Sequence, residues 1–278
     1  MKKNENVKFI IVLFIFITLF IYNSHIKLSI IDSINLWLYT LVPSMLPMYL
    51  ITDLLINYGL IKYSYKLFKS NKPILFFLSM LLGCPANVKY ICDFYKNGYI
   101  SKSEANSMLV YSYAPNPLFV IGIIPDFTYA IKTLLFLYGV NIVLSFLFRC
   151  DDFNGKTYVF KTENFTYVLE KSLYSSFNVL ILILGIVMTY GVINTILSIT
   201  LGINSLFIKS IIELTNAMHS MVNSNNYFLV PFACSFGGLS IHTQVKSILE
   251  DTSLDYKYFL KGRLITSFLA LIFLFVFK

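Results

Sequence analysis

The residues with most to say about chemistry are polar ones set where an apolar bilayer would exclude them. Glu213 lies in a largely apolar run from Leu206 to Met221, with Thr215 and Asn216 beside it. A carboxylate near mid-membrane costs about 2.5–3.5 kcal/mol on insertion scales, so it must face a cavity or a partner. Together the three can hold a polar group of a substrate, a Na⁺ ion or a proton; the plainer alternative is an ion pair with Lys209 one turn earlier. Three further sets interrupt apolar runs: Gly83-Cys84-Pro85-Ala86-Asn87, followed by Lys89; Ala114-Pro115-Asn116-Pro117; and Ser235-Phe236-Gly237-Gly238, followed by Ser240, His242 and Gln244. Where a helix restarts after a break, its free N–H groups and positive dipole end can hold an anion, and Pro85 and Pro117 stand where first-turn prolines belong. Lys89 would add positive charge there, Asn116 an amide, and Gly237 and Gly238 close backbone approach. Each break taken alone also fits a proline-kinked packing helix. Asp53 is a weaker candidate, closer to a surface.

Other chemistries find few residues to carry them. His219 and His242 form no H-E-x-x-H or comparable pair and read as hydrogen-bonded or loop histidines. Cys84, Cys92, Cys150 and Cys234 make no C-x-x-C pair, so free thiols are expected and a metal site is not. No Ser-His-Asp or Cys-His constellation stands at a recognisable spacing, so the chain is not expected to be an enzyme. The net charge of +8 is scattered between apolar segments, with no basic face and stacking aromatics, which argues against nucleic acid. No cofactor is expected, a coupling Na⁺ or H⁺ being left open.

These residues need elements that carry them into lipid. Of the 278 residues 57% are hydrophobic and 13% charged, with 26 Phe and 20 Tyr, too apolar for a soluble domain. Apolar runs recur along the chain, against the roughly 20 residues that one crossing needs. The reading is a single membrane domain over 1–278: an N-terminal helix and connection (1–35), a first half (36–148), a second half (172–245) and a C-terminal helix (246–278). Val7 to Tyr22, behind Lys2 and Lys3 and without a small-x-small cleavage pattern, reads as an uncleaved first helix. Leu36 to Ile61 is a second, kinked at its entry by Pro43 and Pro47 or begun there as an interfacial piece. Ile74 to Leu82 is half a span, and Val88 to Tyr99 carries Lys89, Asp93 and Lys96, so the two predict a hairpin that returns to its own side. Met108 to Ile124 is a broken crossing, Phe127 to Phe148 a plain one, and Arg149 to Lys171 a polar loop. Ser172 to Leu201 crosses, Leu206 to Met221 is a second hairpin, Tyr227 to Val245 a second broken crossing, and Phe259 to Phe277 the last helix.

Placing the N-terminus in the cytoplasm puts all but Lys27, Lys132, Lys209 and Lys278 of the 22 Lys and Arg inside, as the positive-inside rule expects. The first hairpin then enters from inside and the second from outside, so the halves read as inverted copies. Asn57-Tyr58-Gly59-Leu60-Ile61 echoes Thr189-Tyr190-Gly191-Val192-Ile193 at an offset of 132, which also lays Gly83-Cys84 over Thr215-Asn216. The predicted fold class is therefore an all-α polytopic membrane protein, an inverted repeat whose halves each hold a re-entrant or broken helix hairpin followed by a broken transmembrane helix.

Gly83-Cys84-Pro85-Ala86-Asn87-Val88-Lys89, Asn116-Pro117-Leu118-Phe119, Glu213-Leu214-Thr215-Asn216 and Ser235-Phe236-Gly237-Gly238-Leu239-Ser240-Ile241-His242 resemble, in that order, the signatures of the YlbJ-type sporulation integral membrane proteins. Those resemble the nucleoside-recognition and FeoB-like "Gate" domain proteins and the concentrative nucleoside transporters. The resemblance covers about Leu36 to Phe277; Asn87 and Ala217 stand where that pattern often has Gly. It implies a role in endospore formation, moving dipicolinic acid, a small aromatic dianion, across the outer forespore membrane. The expected partners are the lipid bilayer, a small anionic or nucleoside-like solute and a second copy in a homo-oligomer. The rival expectation is a non-transporting scaffold or regulatory subunit of the same architecture.

Overall fold

The computed structural model describes residues 2–150 and 163–276. Lys156, Lys161, Lys278 and the Phe277 end of the last helix lie outside them. Among the described residues every regular element is helical. Helix α1 (Lys2–Ile21) is followed, after one turn residue, by α2 (Asn23–Leu36), which passes through a π-helical turn (Trp37–Leu41) into α3 (Val42–Asn57). From sequence, 23–35 is a connection; the structure instead continues helix from Asn23 to Asn57. The stretch lacks a continuous apolar run because polar residues (His25, Lys27, Ser29, Asp32) are interleaved with apolar ones, while Ile26, Ser33 and Leu36 are buried, where α2 and α3 pack along α10 (Phe165–Leu201). Pro43 and Pro47 do not break it. Each lacks the N–H of a regular turn; a wider π turn stands just before Pro43, and Pro47 sits inside α3.

Gly59, at φ 102°, ends this helix and starts α4 (Leu60–Phe68), an element with no counterpart in the sequence-based expectation. It buries Ile61 and Ser64 and exposes Lys62, Tyr63, Lys66 and Leu67, the pattern of a helix lying in a membrane interface. Two short helices, α5 (Lys72–Leu82) and α6 (Ala86–Lys96), then α7 (Lys102–Tyr111) and α8 (Pro117–Ile123), lead to α9 (Phe127–Leu147). After α10 come α11 (Leu206–Ile212), α12 (Leu214–Asn223), α13 (Val230–Phe236), α14 (Gly238–Leu249) and α15 (Tyr256–Val276).

Several helices begin upstream of their apolar text because a capping side chain stands there. Ser101 and Glu104 form a reciprocal capping box, so α7 starts at Lys102 and not Met108. Asn164 caps α10, which starts at Phe165 and not Ser172. Ahead of α15, Asp255 accepts from the Lys257 backbone N–H at 3.0 Å and pairs with its ammonium at 2.7 Å. The Lys257 side chain, then its backbone N–H, hold the Asp255 carboxyl below the usual carboxylate range.

Four described helices are long and apolar enough to cross a membrane: Asn23–Asn57, Phe127–Leu147, Phe165–Leu201 and Tyr256–Phe275. They make this a multi-pass membrane protein in contact with the lipid bilayer. At about 1.5 Å per residue the 37 residues of α10 run about 55 Å, beyond the ~30 Å of a hydrocarbon core. Exposed Phe146, Tyr174, Phe268 and Phe275 mark the outer faces of the long helices, and the short helices fill the interior, with Leu82, Met108, Ala217 and Val230 fully buried.

Candidate functional site

The two interruptions in each half meet each other. At the first, α5 ends on Gly83 at φ 75°, and a Cβ there would collide with the Asn116 backbone nitrogen. The non-helical stretch between α7 and α8 runs through protein interior, where bare carbonyls would be costly. The first hairpin and α9 satisfy them in succession. Asn87 donates to the Ser112 carbonyl, Asn141 on α9 to Tyr113 at 2.5 Å, and the Cys84 N–H to Ala114 at 3.1 Å. Asn116 works in both directions. Its Oδ1 accepts from the N–H groups of Leu118 (2.9 Å) and Phe119 (3.2 Å), capping α8, while its Nδ2 donates to Leu81 (3.3 Å) and Leu82 (3.2 Å), the last carbonyls of α5.

At the second interruption Glu213 separates α11 from α12. Its carboxylate accepts from the N–H groups of Thr215 (2.9 Å) and Asn216 (2.6 Å), with the Ser240 hydroxyl at 3.5 Å. Glu213 is 1% exposed and not paired with Lys209, which touches it only through the helical bond from the Glu213 N–H to the Lys209 carbonyl. Gly238, at φ 71°, lies against this turn: a Cβ there would stand 3.0 Å from the Leu214 nitrogen and 3.1 Å from the Glu213 Cα. Gly237, at φ 85°, faces the Tyr113 hydroxyl of the first break. Each hairpin turn therefore seats on the broken helix of its own half, and the two breaks touch through Tyr113.

Between them lies a cavity of about 30 Å³, lined by Cys84, Asn116, Glu213 and Thr215 and closed by Met45 of α3 and Val187 of α10. It has room for about one water. The expectation that half-helix starts offer free N–H groups to an anion needs correcting at two of the four places. The first N–H groups of α8 and α12 are already taken by Asn116 and Glu213. Neither α6, begun by Pro85 and the buried Ala86, nor α14, begun by Gly238, has a side-chain cap, and Pro85 is the N-cap of α6 while Pro117 opens α8 within its first turn.

Lys89 does not reach this cavity. It donates to the Ser175 hydroxyl of α10, in a narrow cleft that it shares with Asp53 and Tyr90, where the Tyr90 hydroxyl donates to Asp53. Asn216 turns its side chain out of the cavity toward Gly191 of α10. The Ser235 hydroxyl is buried without a partner among the described residues. His242 is hydrogen-bonded between the Phe236 carbonyl (3.2 Å) and the Tyr256 hydroxyl (2.6 Å), so Nε2 carries the proton and Nδ1 accepts. All four cysteines are free.

Arg263 was not among the sequence candidates, where it counts only as a charge on the inner flank. It is 0% exposed on α15 and donates to the last-turn carbonyls of both broken helices, Ser235 of α13 at 3.0 Å and Val110 of α7 at 3.4 Å. Its guanidinium lies 3.9 Å from the Tyr113 ring centroid. Gly262 makes this possible, because any Cβ there would drive into the Val110 carbonyl. The signal available in sequence was a glycine beside an arginine inside an apolar helix, and for Asn141 a lone amide within one.

Replacing Asn116 by Ala removes a cap and strands two buried carbonyls, an expected loss of about 2–4 kcal/mol. Asn116→Asp keeps the acceptor and loses the donor, so its unfolding midpoint in detergent should fall between wild type and Ala. Equal midpoints for all three would remove Asn116 as the tie between hairpin and break.

Compared with known proteins, the chain is similar to the sporulation integral membrane protein YlbJ of Bacillus subtilis (strain 168), 21% identical over 303 aligned positions that cover 86% of this chain and 74% of the relative. That relative bears out the YlbJ-type resemblance carried by the four motifs. No family model matches the chain. No solved structure matches it.

Proposed function

We propose that this chain is a transporter-like protein of spore formation that moves a small anionic solute across the forespore membrane, dipicolinic acid being the solute that the resemblance implies. The observation that carries this reading is the meeting of two hairpin turns and two helix breaks around Glu213 and Asn116. Secondary transporters put substrate and coupling-ion sites between such discontinuous helices. In support, the order of elements recurs once α4 is set aside: a long helix, a pair of short helices, a second pair and a long helix run from α3 to α9 and again from α10 to α15. We read these as inverted copies, the first hairpin opening to the cytoplasm and the second away from it. Glu213 then serves a coupling Na⁺ or H⁺ better than the anion, since the central cavity offers a carboxylate and no cation. A nucleoside-like solute is the next class to try. The outer forespore membrane as location comes from the resemblance alone.

Purified protein reconstituted in liposomes should accumulate labelled dipicolinate above protein-free vesicles. One observation favours the rival reading of a non-transporting scaffold or regulatory subunit, namely that the central cavity, at about 30 Å³, is too small for any solute. Absence of flux from correctly inserted protein, with a stable partner complex recovered from membranes, decides for the scaffold.

A further inference from the structure

One residue beyond Thr215, the chain leaves the central cavity and Asn216 lines a much larger cleft of about 360 Å³ between α2, α10, α11 and α12. Its charged and titratable walls are Lys209 of α11, His219 of α12, and His25 and Asp32 of α2. Lys209 is half-buried and takes part in no ion pair or side-chain hydrogen bond among the described residues, because the nearby Glu213 carboxylate is spent on backbone N–H groups. The Nδ2 of Asn194, on the α10 wall, is buried with no acceptor among the described residues. Gly191 lets α2 and α12 close onto that wall: a Cβ there would stand 2.7 Å from the Ser33 hydroxyl and 3.1 Å from Asn216 Nδ2. The unpaired ammonium, the unsatisfied Asn194 donor and the Asn216 amide share this cleft with a single carboxylate, Asp32.

We propose that this cleft binds a small carboxylate-bearing solute, the carboxylate taking the Lys209 ammonium and the amides of Asn194 and Asn216. A volume of about 360 Å³ lies within the usual range of small-ligand pockets, about 300–1,000 Å³. A single-ring dicarboxylate is of suitable size. The positive partner for an anion is then Lys209 and not Lys89, which is already engaged with Ser175. Asp32 opposes the bound charge across the cleft, so removing it and removing Lys209 have effects of opposite sign. As a stop on a route to Glu213 the cleft rests on the transport reading; as a binding site it does not.

The test is calorimetric titration of the full-length protein in detergent with pyridine-2,6-dicarboxylate, and with its uncharged diamide for comparison. Lys209→Gln should weaken dicarboxylate binding by about tenfold or more, Lys209→Arg should stay within about threefold of wild type, and Asp32→Asn should tighten it. Lys132→Gln, a lysine outside the cleft, should leave it unchanged. Binding that ignores Lys209→Gln, a diamide that binds as well as the dianion, or a folded wild type that binds neither overturns the site. Vesicle flux keeps the two ideas apart. Flux that persists while binding ignores Lys209 sinks the site and leaves the transport reading; Lys209-dependent binding without flux sustains the site and sinks the transport reading.

Discussion

Arg263→Ala is expected to lower the unfolding midpoint of the detergent-solubilised protein by roughly 10 °C, corresponding to a loss of about 3–5 kcal/mol. The cost has two sources. The Val110 and Ser235 carbonyls, which end the first halves of both broken helices, lose their donor inside the protein, and the Tyr113 ring loses the cation lying 3.9 Å from its centroid. Arg263→Lys keeps the charge but has no planar fork to reach two carbonyls from one position, so it should recover less than half of the loss. Arg263→Met separates charge from packing. Buried charges can sometimes be exchanged for apolar side chains at little cost, but here the carbonyls would stay unpaired, and Met should behave like Ala. A midpoint for Met equal to wild type would show that the two broken helices hold together without this bridge.

The interruptions were legible in the sequence because they break a local rule: glycine, proline and polar residues stand where a bilayer asks for an unbroken apolar helix. Gly83, Asn116, Glu213 and Gly238 were found that way; Asn116 and Glu213 line the cavity, and Gly83 and Gly238 pack against them. What each polar group does there was not legible, since that depends on partners far along the chain. Asn116 reads as a donor awaiting a ligand, yet its amide is engaged by α5 and by its own helix. Lys89 reads as a charge for the first tip, but one helical turn carries it to the α10 side and Ser175.

Long-range packing accounts for the other differences. Residues 23–35 have too many polar side chains for an apolar run, yet they form a helix because α10 buries Ile26, Ser33 and Leu36. His25 and Asp32 were passed over with that stretch, and with them one wall of the outer cleft. Arg263 sits about two turns into a helix long and apolar enough to span the membrane, where an arginine usually marks the cytoplasmic flank. Only the bare backbone of Gly262 against Val110 lets α15 come close enough to make it an internal bridge.

Glu213→Gln is expected to reduce transport by about tenfold or more while leaving insertion intact, measured as initial flux in vesicles with equal amounts of correctly oriented protein. In the folded chain both carboxylate oxygens accept backbone N–H bonds, from Thr215 and Asn216, and Ser240 lies in reach of the first. Glutamine offers one oxygen and one NH₂, so one of the two N–H groups at the start of α12 meets a donor. The loss of one charge-assisted bond is worth about 1.5–3 kcal/mol. That local cost would loosen the hairpin turn on Gly238 in any protein of this architecture, so a stability change alone cannot tell a carrier from a scaffold. The readout that can is the dependence of flux on a Na⁺ or proton gradient. If Glu213 holds the coupling ion, the residual flux of Glu213→Gln should no longer respond to the gradient that drives wild type. Glu213→Asp, which keeps the charge on a shorter arm, should retain that response at reduced rate. Gradient-driven flux in Glu213→Gln equal to wild type would take the carboxylate out of the transport cycle and leave it as the cap of α12.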